Sequence, residues 1–230
     1  MDAASIVTGP MLLRVGQGSL RGAFGRYADR FDLLEVPAEV GRLPRVATLH
    51  QWREQAPAGF VFSVLLGSAV GRLVAGPEFD AELTCALKAV EALQAQWIVL
   101  RTGPATTPSR RNERLLAATV ERLPRDSCRV AWEPRGLWEP EQEERICSEL
   151  GLVLVRDLRR SELPPGPVAY TRLLALGTGA RFSVEAAEVI AERAAGLEAL
   201  CVVVEGHGAV QGAQVLRQLL GEEPIDPNVE

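Results

Sequence analysis

The side chains best suited to chemistry in this sequence are carboxylates and guanidinium groups that adjoin apolar segments. Glu35 and Glu133 each lie at the end of an aliphatic run, and Arg172 interrupts such a run just before Leu173. A charge in an otherwise buried segment is costly unless it is paired or bound to a ligand. We therefore predict that Glu133 and Arg172 form either a buried ion pair or part of a ligand site. Glu133 and Glu35 are the candidate catalytic residues, as general base or metal ligand.

Further candidate ligand-binding residues follow other apolar segments. An arginine suits phosphate or carboxylate ligands because its N–H donors form a planar fork. Each candidate also has a structural interpretation: a rim ion pair for an arginine, packing for a tryptophan, and an incidental position for a histidine between glycines. The candidates of this kind are Arg101, Arg135, Arg172, Trp138 and His207.

The composition restricts the reactions open to this protein. Lys88 is the one lysine among 25 basic residues and falls in a helical pattern, so a Schiff base at a strand end has no lysine to form it. With two histidines, neither a zinc site of several histidines nor a Ser-His-Asp triad has a choice of residues. We predict no cofactor and no metal site, although magnesium or manganese bound by carboxylates alone stays open.

Charge and hydropathy restrict the partners. A net charge of −5 argues against general nucleic-acid binding, which requires a basic surface. The four cysteines lack metal-ligand spacing and indicate buried thiols in a reducing compartment. No apolar segment approaches the ~18 residues of a membrane helix, and no signal peptide is visible. We expect a cytoplasmic protein with an anionic small molecule as its partner, no membrane partner and an oligomeric state that the sequence leaves open.

Short apolar segments, which we predict to be strands, alternate with helical patterns and position these side chains. Several are continuous Val, Leu and Ile runs, typical of parallel strands that are buried on both faces. The eight predicted strands are Met11–Val15, Asp32–Val36, Phe60–Val64, Trp97–Arg101, Arg129–Glu133, Leu152–Arg156, Val168–Leu173 and Leu200–Val204.

Helical periodicity fills most intervals between these strands. The segment Asp157–Pro167 contains three prolines, so its helix is predicted to be short or missing. A further short helix is predicted within Leu20–Arg30. The other predicted helices are Val46–Gln55, Phe79–Gln94, Arg110–Arg122, Glu141–Leu150, Val184–Ala195 and Ala209–Leu220.

The alternation of eight strands with helices predicts an α/β fold, a TIM-like (β/α)8 barrel, with a doubly wound open sheet as the alternative. No change of composition marks a domain boundary, so residues 1–230 are predicted to be one domain with a loose tail from about residue 222. In such barrels the functional face is the C-terminal end of the strands, where the candidate residues would lie.

Motifs in three segments of the chain match the pattern of a known family. Between Phe31 and Val64 the sequence contains FDLLEV, RLP and LHQWREQAPAGFVFSV, followed later by VAWEPRGLW and YTRL. These motifs resemble the domain-of-unknown-function 72 family, also called YecE-like, over roughly Leu13–Leu220. The resemblance implies a TIM-like barrel and adds Tyr170 to the candidate binding residues. The matching residues are Glu35, Pro44, Trp52, Pro57, Gly59, Phe60, Phe62, Glu133, Arg135, Trp138, Tyr170 and Arg172.

The sequence departs from this family pattern around one mouth of the implied barrel. Polar residues of the family are missing, so this member is either altered in substrate or inactive if the family site is catalytic. The departures are Leu65 or Leu66 in place of a lysine, no threonine-histidine pair in Gly67–Leu73, Leu173-Leu174 in place of histidine-glycine, Glu205-Gly206-His207 in place of asparagines, and Leu20 in place of an aromatic residue.

Two functions remain open from the sequence. The first is an enzyme of hydrolase or phosphoryl-ester type that binds an anionic small molecule at the C-terminal mouth of the barrel. The alternative is a non-catalytic, ligand-sensing or partner-binding pseudoenzyme barrel; under either function we expect a bacterial-type protein. Geometry separates them: an open pocket at Glu35, Glu133, Arg135 and Arg172 favours a ligand site, whereas a dry ion-pair cluster without a cavity does not.

Overall fold

A computed structural model shows eight parallel strands closed into a barrel. The structure describes residues 11–163, 165–173, 183–205 and 208–220. Each strand pairs with the next one in sequence, and the first pairs with the last. The strands are β1 (Leu12–Gln17), β2 (Leu33–Ala38), β3 (Val61–Leu66), β4 (Trp97–Arg101), β5 (Arg129–Glu133), β6 (Val153–Arg156), β7 (Val168–Leu173) and β8 (Ala199–Val204).

Helices connect most of the strands and cover the outside of the barrel. No helix in the described ranges combines the length and apolar character needed to cross a bilayer. The helices are α1 (Phe24–Ala28), α2 (Val46–Gln55), α3 (Ser68–Gly71), α4 (Pro77–Leu93), α5 (Arg110–Val120), α6 (Pro140–Leu150), α7 (Val184–Arg193) and α8 (Ala209–Leu219).

Closure of the sheet decides between the two predicted folds. Pairing of β1 with β8 makes a (β/α)8 barrel and excludes the doubly wound open sheet. The predicted strand bounds agree with the observed ones to within two residues, and the described residues between β6 and β7 contain no helix. The one-turn helix α3 was not predicted, because four residues are too few to show a helical period.

The middle of the barrel interior is mostly apolar, and its end at the C-termini of the strands is charged. Alternate residues of a strand face the same side, so residues two positions apart share the interior. Leu33, Val99, Ala131, Tyr170 and Val203 belong to the buried cluster that fills the barrel. Two positions after them, toward the C-terminal ends of the strands, stand Glu35, Arg101, Glu133, Arg172 and Glu205.

Candidate functional site

Arg172 lies at the centre of a charged cluster at the C-terminal mouth, and its side chain is 2% exposed. Its Nη2 donates to Oε2 of Glu35, and its Nη1 donates to Oε1 of Glu205 at 3.0 Å. Its Nε lies 3.0 Å from Oε2 of Glu133, an ion-pair distance without hydrogen-bond alignment. Burial lowers the pKa of Arg172, but Glu35, Tyr170 and Glu133 together outweigh this effect and raise that pKa above its ordinary value. One charged guanidinium therefore connects three carboxylates.

Glu35 is fully buried, and a side chain of the barrel interior, Tyr170, forms a hydrogen bond with it. The hydroxyl of Tyr170 donates to Oε2 of Glu35 at 2.9 Å and lies 3.0 Å from the hydroxyl of Ser63. Burial raises the pKa of Tyr170 well above 10.0, so the phenol stays neutral and able to donate. The second oxygen of Glu35, Oε1, is buried without a hydrogen-bond partner among the described residues.

Glu133 is shared by three arginines. Arg101 donates from Nε to Oε2 at 2.7 Å, Arg135 donates from Nη2 to Oε1 at 3.0 Å, and Arg172 lies beside Oε2. Burial raises the pKa of Glu133, but the charges of these arginines outweigh it, and the pKa lies below the ordinary value. Glu133 is therefore an ionised anchor for arginines near neutral pH.

Replacing Glu133 by glutamine is expected to lower the stability in a pH-dependent way. Because the pKa of Glu133 in the folded protein lies below its ordinary value of 4.5, the carboxylate stabilises the fold above that pH. This contribution is lost as the pH falls through the folded-state pKa. Wild type should exceed Glu133→Gln by about 3 kcal/mol in free energy of unfolding near neutral pH, and the difference should shrink below pH 4.5.

Urea unfolding of both proteins across this pH range measures the difference. The control is Glu91→Gln, a substitution at an exposed position of α4. Its stability should follow that of wild type at every pH. A difference between wild type and Glu133→Gln that stays constant on acidification would contradict the role given to the Glu133 charge.

The two outer arginines of the cluster reach solvent. The side chain of Arg101 is 27% exposed and that of Arg135 is 41% exposed, whereas the Glu133 side chain between them is 10% exposed. The Nη2 atom of Arg101 is nevertheless buried and has no hydrogen-bond partner among the described residues. The β4–β5 side of the mouth thus combines accessible positive charge with an unused donor.

Two of the predicted binding residues, Tyr170 and Trp138, lie away from the opening of the mouth. Tyr170 is buried under Glu35 rather than at the opening. Trp138 is buried in the loop after β5, where its N–H donates to the carbonyl of Thr106 at 2.8 Å and its ring meets Trp132 edge-on at 5.3 Å. His207 lies outside the described residues. A role of these three in ligand binding stays a prediction.

The predicted site omits two residues that the structure brings to the cluster. Glu205 binds Arg172, and Ser63 contacts Tyr170. Gly18 covers the cluster, because a Cβ on it would lie 3.6–3.7 Å from atoms of Glu35, Arg172 and Glu205. The alternation of residues along a strand could have identified Glu205, because it stands two positions after Val203, which faces the interior.

A pocket of about 320 Å³ adjoins the cluster on the β2 side. It lies between β2, the loop that follows β1, and α2, and Glu35 is one of its lining residues. A larger cavity of about 870 Å³ lies at the opposite end of the barrel, where β5, β6 and β7 begin. Barrel enzymes carry their sites at the C-terminal end of the strands, so the smaller pocket is the candidate site by its position.

The described residues contain no group of three or more histidine, cysteine, aspartate or glutamate side chains able to hold a metal ion. The carboxylates of Glu35 and Glu133 contact guanidinium groups instead. In this part of the chain the charge of the carboxylates is balanced by arginine.

Comparison with known proteins identifies the family. A family model described as a protein of unknown function, DUF72, matches residues 18–228. The fold is similar to a DUF72 protein of Enterococcus faecalis V583 (TM-score 0.71, 14% identity, 95% of this chain and 99% of that chain). It is also similar to a DUF72 protein of Thermotoga maritima MSB8 (0.63, 16%, 92% and 100%) and to a D-tagatose 3-epimerase-like protein (0.62, 17%, 92% and 97%).

At such identities the likeness to solved structures shows the fold alone, and no curated protein matches the chain. The family model is the stronger finding, because it covers most of the sequence and includes Glu35, Glu133 and Arg172. It confirms the resemblance drawn from the motifs. The chain belongs to the DUF72 family.

Proposed function

We propose that this protein binds an anionic small molecule at the C-terminal mouth of the barrel, with Arg101 and Arg135 receiving the acid group. The observation that carries the proposal is the Nη2 atom of Arg101, which is buried without a hydrogen-bond partner among the described residues. Leaving such a donor unpaired is costly. A phosphate or carboxylate oxygen would satisfy it in a charge-assisted hydrogen bond.

The distribution of charge supports the same side of the mouth. Among the described residues, Glu133 is the one carboxylate that pairs with Arg101 and Arg135, and it also lies beside Arg172. The other two carboxylates of the cluster, Glu35 and Glu205, contact Arg172. Positive charge therefore exceeds negative charge next to β4 and β5, which favours an anion there.

Hydrolysis of an ester or phosphoryl ester is the catalytic form of this proposal. Glu133 is a poor base because its arginines hold its pKa below the ordinary value. Glu35 is the better candidate, since its Oε1 has no hydrogen-bond partner among the described residues. The non-catalytic alternative is supported by the ion pairs, because they occupy at least one oxygen of Glu35 and at least one oxygen of Glu133.

Substituting Arg101 by glutamine tests the anion site. Titration calorimetry with inorganic phosphate at low salt should show binding to wild type and at least tenfold weaker binding to Arg101→Gln, because a charged donor is lost. The matched control is Arg72→Gln, which removes an exposed arginine that pairs with Glu78. This control should bind phosphate as wild type does.

Two results would count against the proposal. Absence of phosphate binding to wild type, with acetate and sulfate also failing, would remove the anion site. Equal affinity of wild type and Arg101→Gln would place the anion elsewhere. Release of nitrophenol from p-nitrophenyl phosphate, measured on wild type and Glu35→Gln, then separates the catalytic form from the non-catalytic one.

A further inference from the structure

The pocket beside β2 has the composition of a small-molecule site. Its volume of about 320 Å³ lies at the lower end of the range for such sites, roughly 300–1,000 Å³. Six of its ten lining residues are apolar, and the polar ones include Glu39 and Arg42, which form an ion pair with each other. The residues used in the argument below are Ser19, Leu20, Glu35, Pro44 and Trp52.

Glu35 provides an acceptor whose charge is already compensated. Its Oε2 receives hydrogen bonds from Arg172 and Tyr170, while its Oε1 is buried without a partner among the described residues. Glu35 has no solvent-exposed surface, and its Oε1 lies under Gly18, the residue before Ser19 in the pocket wall, so a ligand in the pocket reaches Oε1 when the chain at Gly18 moves aside. A second cation at Oε1 would be repelled by Arg172, whereas a neutral O–H group could donate without adding charge.

Trp52 gives the pocket a rigid aromatic wall. Its ring stacks on Phe24 at 6.0 Å with an interplanar angle of 13°, and Phe24 stacks in turn on Phe62 at 5.7 Å. The indole is thereby fixed by α1 and β3 while it also lines the pocket. Together with Leu20 and Pro44, it offers a flat apolar surface to a ring of matching size.

We propose that this pocket binds a neutral ring that carries hydroxyl groups, a polyol of monosaccharide size. One hydroxyl donates to Oε1 of Glu35, and the carbon face of the ring packs against Trp52. Glu35 and Glu133 contact the same guanidinium, so this pocket and the anion site are neighbours. Where the anion site of the proposed function also holds, the ligand is an acid derivative of a polyol, of the sugar phosphate class.

A variant that fills the pocket tests the polyol pocket independently of the anion site. The variant Leu20→Trp places a larger side chain in the pocket wall and leaves every arginine of the cluster unchanged. The matched control is Leu219→Trp, the same substitution at an exposed position in the last turn of α8. The probes are inorganic phosphate, glucose and glucose 6-phosphate, measured by titration calorimetry, with saturation-transfer NMR for glucose.

Wild type and the control should bind glucose 6-phosphate at least tenfold more tightly than phosphate, and both should give a glucose signal. Leu20→Trp should bind glucose 6-phosphate no more tightly than phosphate and should give no glucose signal, while its affinity for phosphate stays that of wild type. Unfolding of each variant in urea verifies that the barrel is intact. As a second variant, Glu35→Gln should weaken glucose binding even if its stability falls.

The outcomes distinguish the two proposals. If phosphate binds but glucose 6-phosphate gains nothing over it and glucose gives no signal, the polyol pocket is wrong and the anion site stands. If glucose binds and phosphate does not, the pocket stands and the anion site is wrong. Binding of glucose to Leu20→Trp as strongly as to wild type would also overturn the pocket.

Discussion

Replacing Gly16 by alanine is expected to disrupt the barrel. A Cβ at this position would lie 1.7 Å from the carbonyl oxygen of Leu33, which is a backbone atom of the neighbouring strand. No change of a side-chain rotamer relieves that overlap, so the strands must separate. The free energy of unfolding should fall by more than about 4 kcal/mol, or the variant should fail to fold.

The position of the overlap explains why the effect should be large. β1 and β2 are paired at Gly16 with Leu33 and at Gln17 with Leu34. The hydroxyl of Tyr27 holds this junction from outside, since it donates to the carbonyl of Leu33 at 2.6 Å and accepts from the backbone N–H of Gln17 at 2.8 Å. The Leu33 carbonyl therefore cannot move away without breaking the junction.

Urea unfolding followed by circular dichroism measures this effect, with Gly25→Ala as the control. Gly25 lies in α1, and a Cβ on it would meet nothing within 4 Å. Alanine favours a helix, so the control should be as stable as wild type or more stable by up to about 1 kcal/mol. Finding Gly16→Ala as stable as Gly25→Ala would show that the two strands can separate at little cost.

Much of the fold could be predicted because parallel barrels impose simple patterns. Strands buried on both faces are continuous apolar runs, such as the one that ends at Arg101, and most of them are followed by a helix. The prolines after Arg156 indicated correctly that no helix follows β6 in the described residues. The overlap at Gly16 could not be predicted, because it depends on how closely two backbones approach.

The charged cluster could also be predicted in part. The sequence shows Glu35, Glu133 and Arg172 as charges in apolar runs and Arg101 and Arg135 as strand-end arginines, and the structure brings all five together. Whether they would form ion pairs or face a pocket was left open. The cluster is paired, and of these five residues Glu35 alone is among the residues that line the cavity beside β2.

The pocket itself could not be inferred from any single motif. Its wall combines Leu20 from the loop after β1, Glu35 from β2, and Trp52 from α2. These positions are far apart in sequence, and their meeting depends on the tilt of α2 and the path of the loop. The position of Tyr170 could not be predicted either. Its motif places it near Arg172 in sequence, but the structure is needed to show that its hydroxyl donates to Glu35.

Removing the Arg172 charge is expected to destabilise the protein strongly. In Arg172→Met, Glu133 retains Arg101 and Arg135, and Glu205 is 38% exposed and can be hydrated. Among the described residues, Glu35 then keeps only the hydrogen bond from Tyr170 and has no counterion for its buried charge. The free energy of unfolding should fall by about 3–5 kcal/mol. Urea unfolding near neutral pH measures it, and Arg145→Met, at an exposed arginine, should leave it close to the wild-type value.

A double-mutant cycle with Glu35→Gln tests whether Glu35 is the origin of this loss. In the wild-type background the substitution removes a partner of Arg172 and should destabilise the protein. In the Arg172→Met background it removes an uncompensated buried charge, so it should instead increase the free energy of unfolding, with a coupling of roughly 2 kcal/mol. This reversal of sign is specific to a charge pair, because the loss of packing at Arg172 would be the same in both backgrounds. Additive effects of the two substitutions would mean that Arg172 stabilises the barrel by packing rather than by neutralising Glu35.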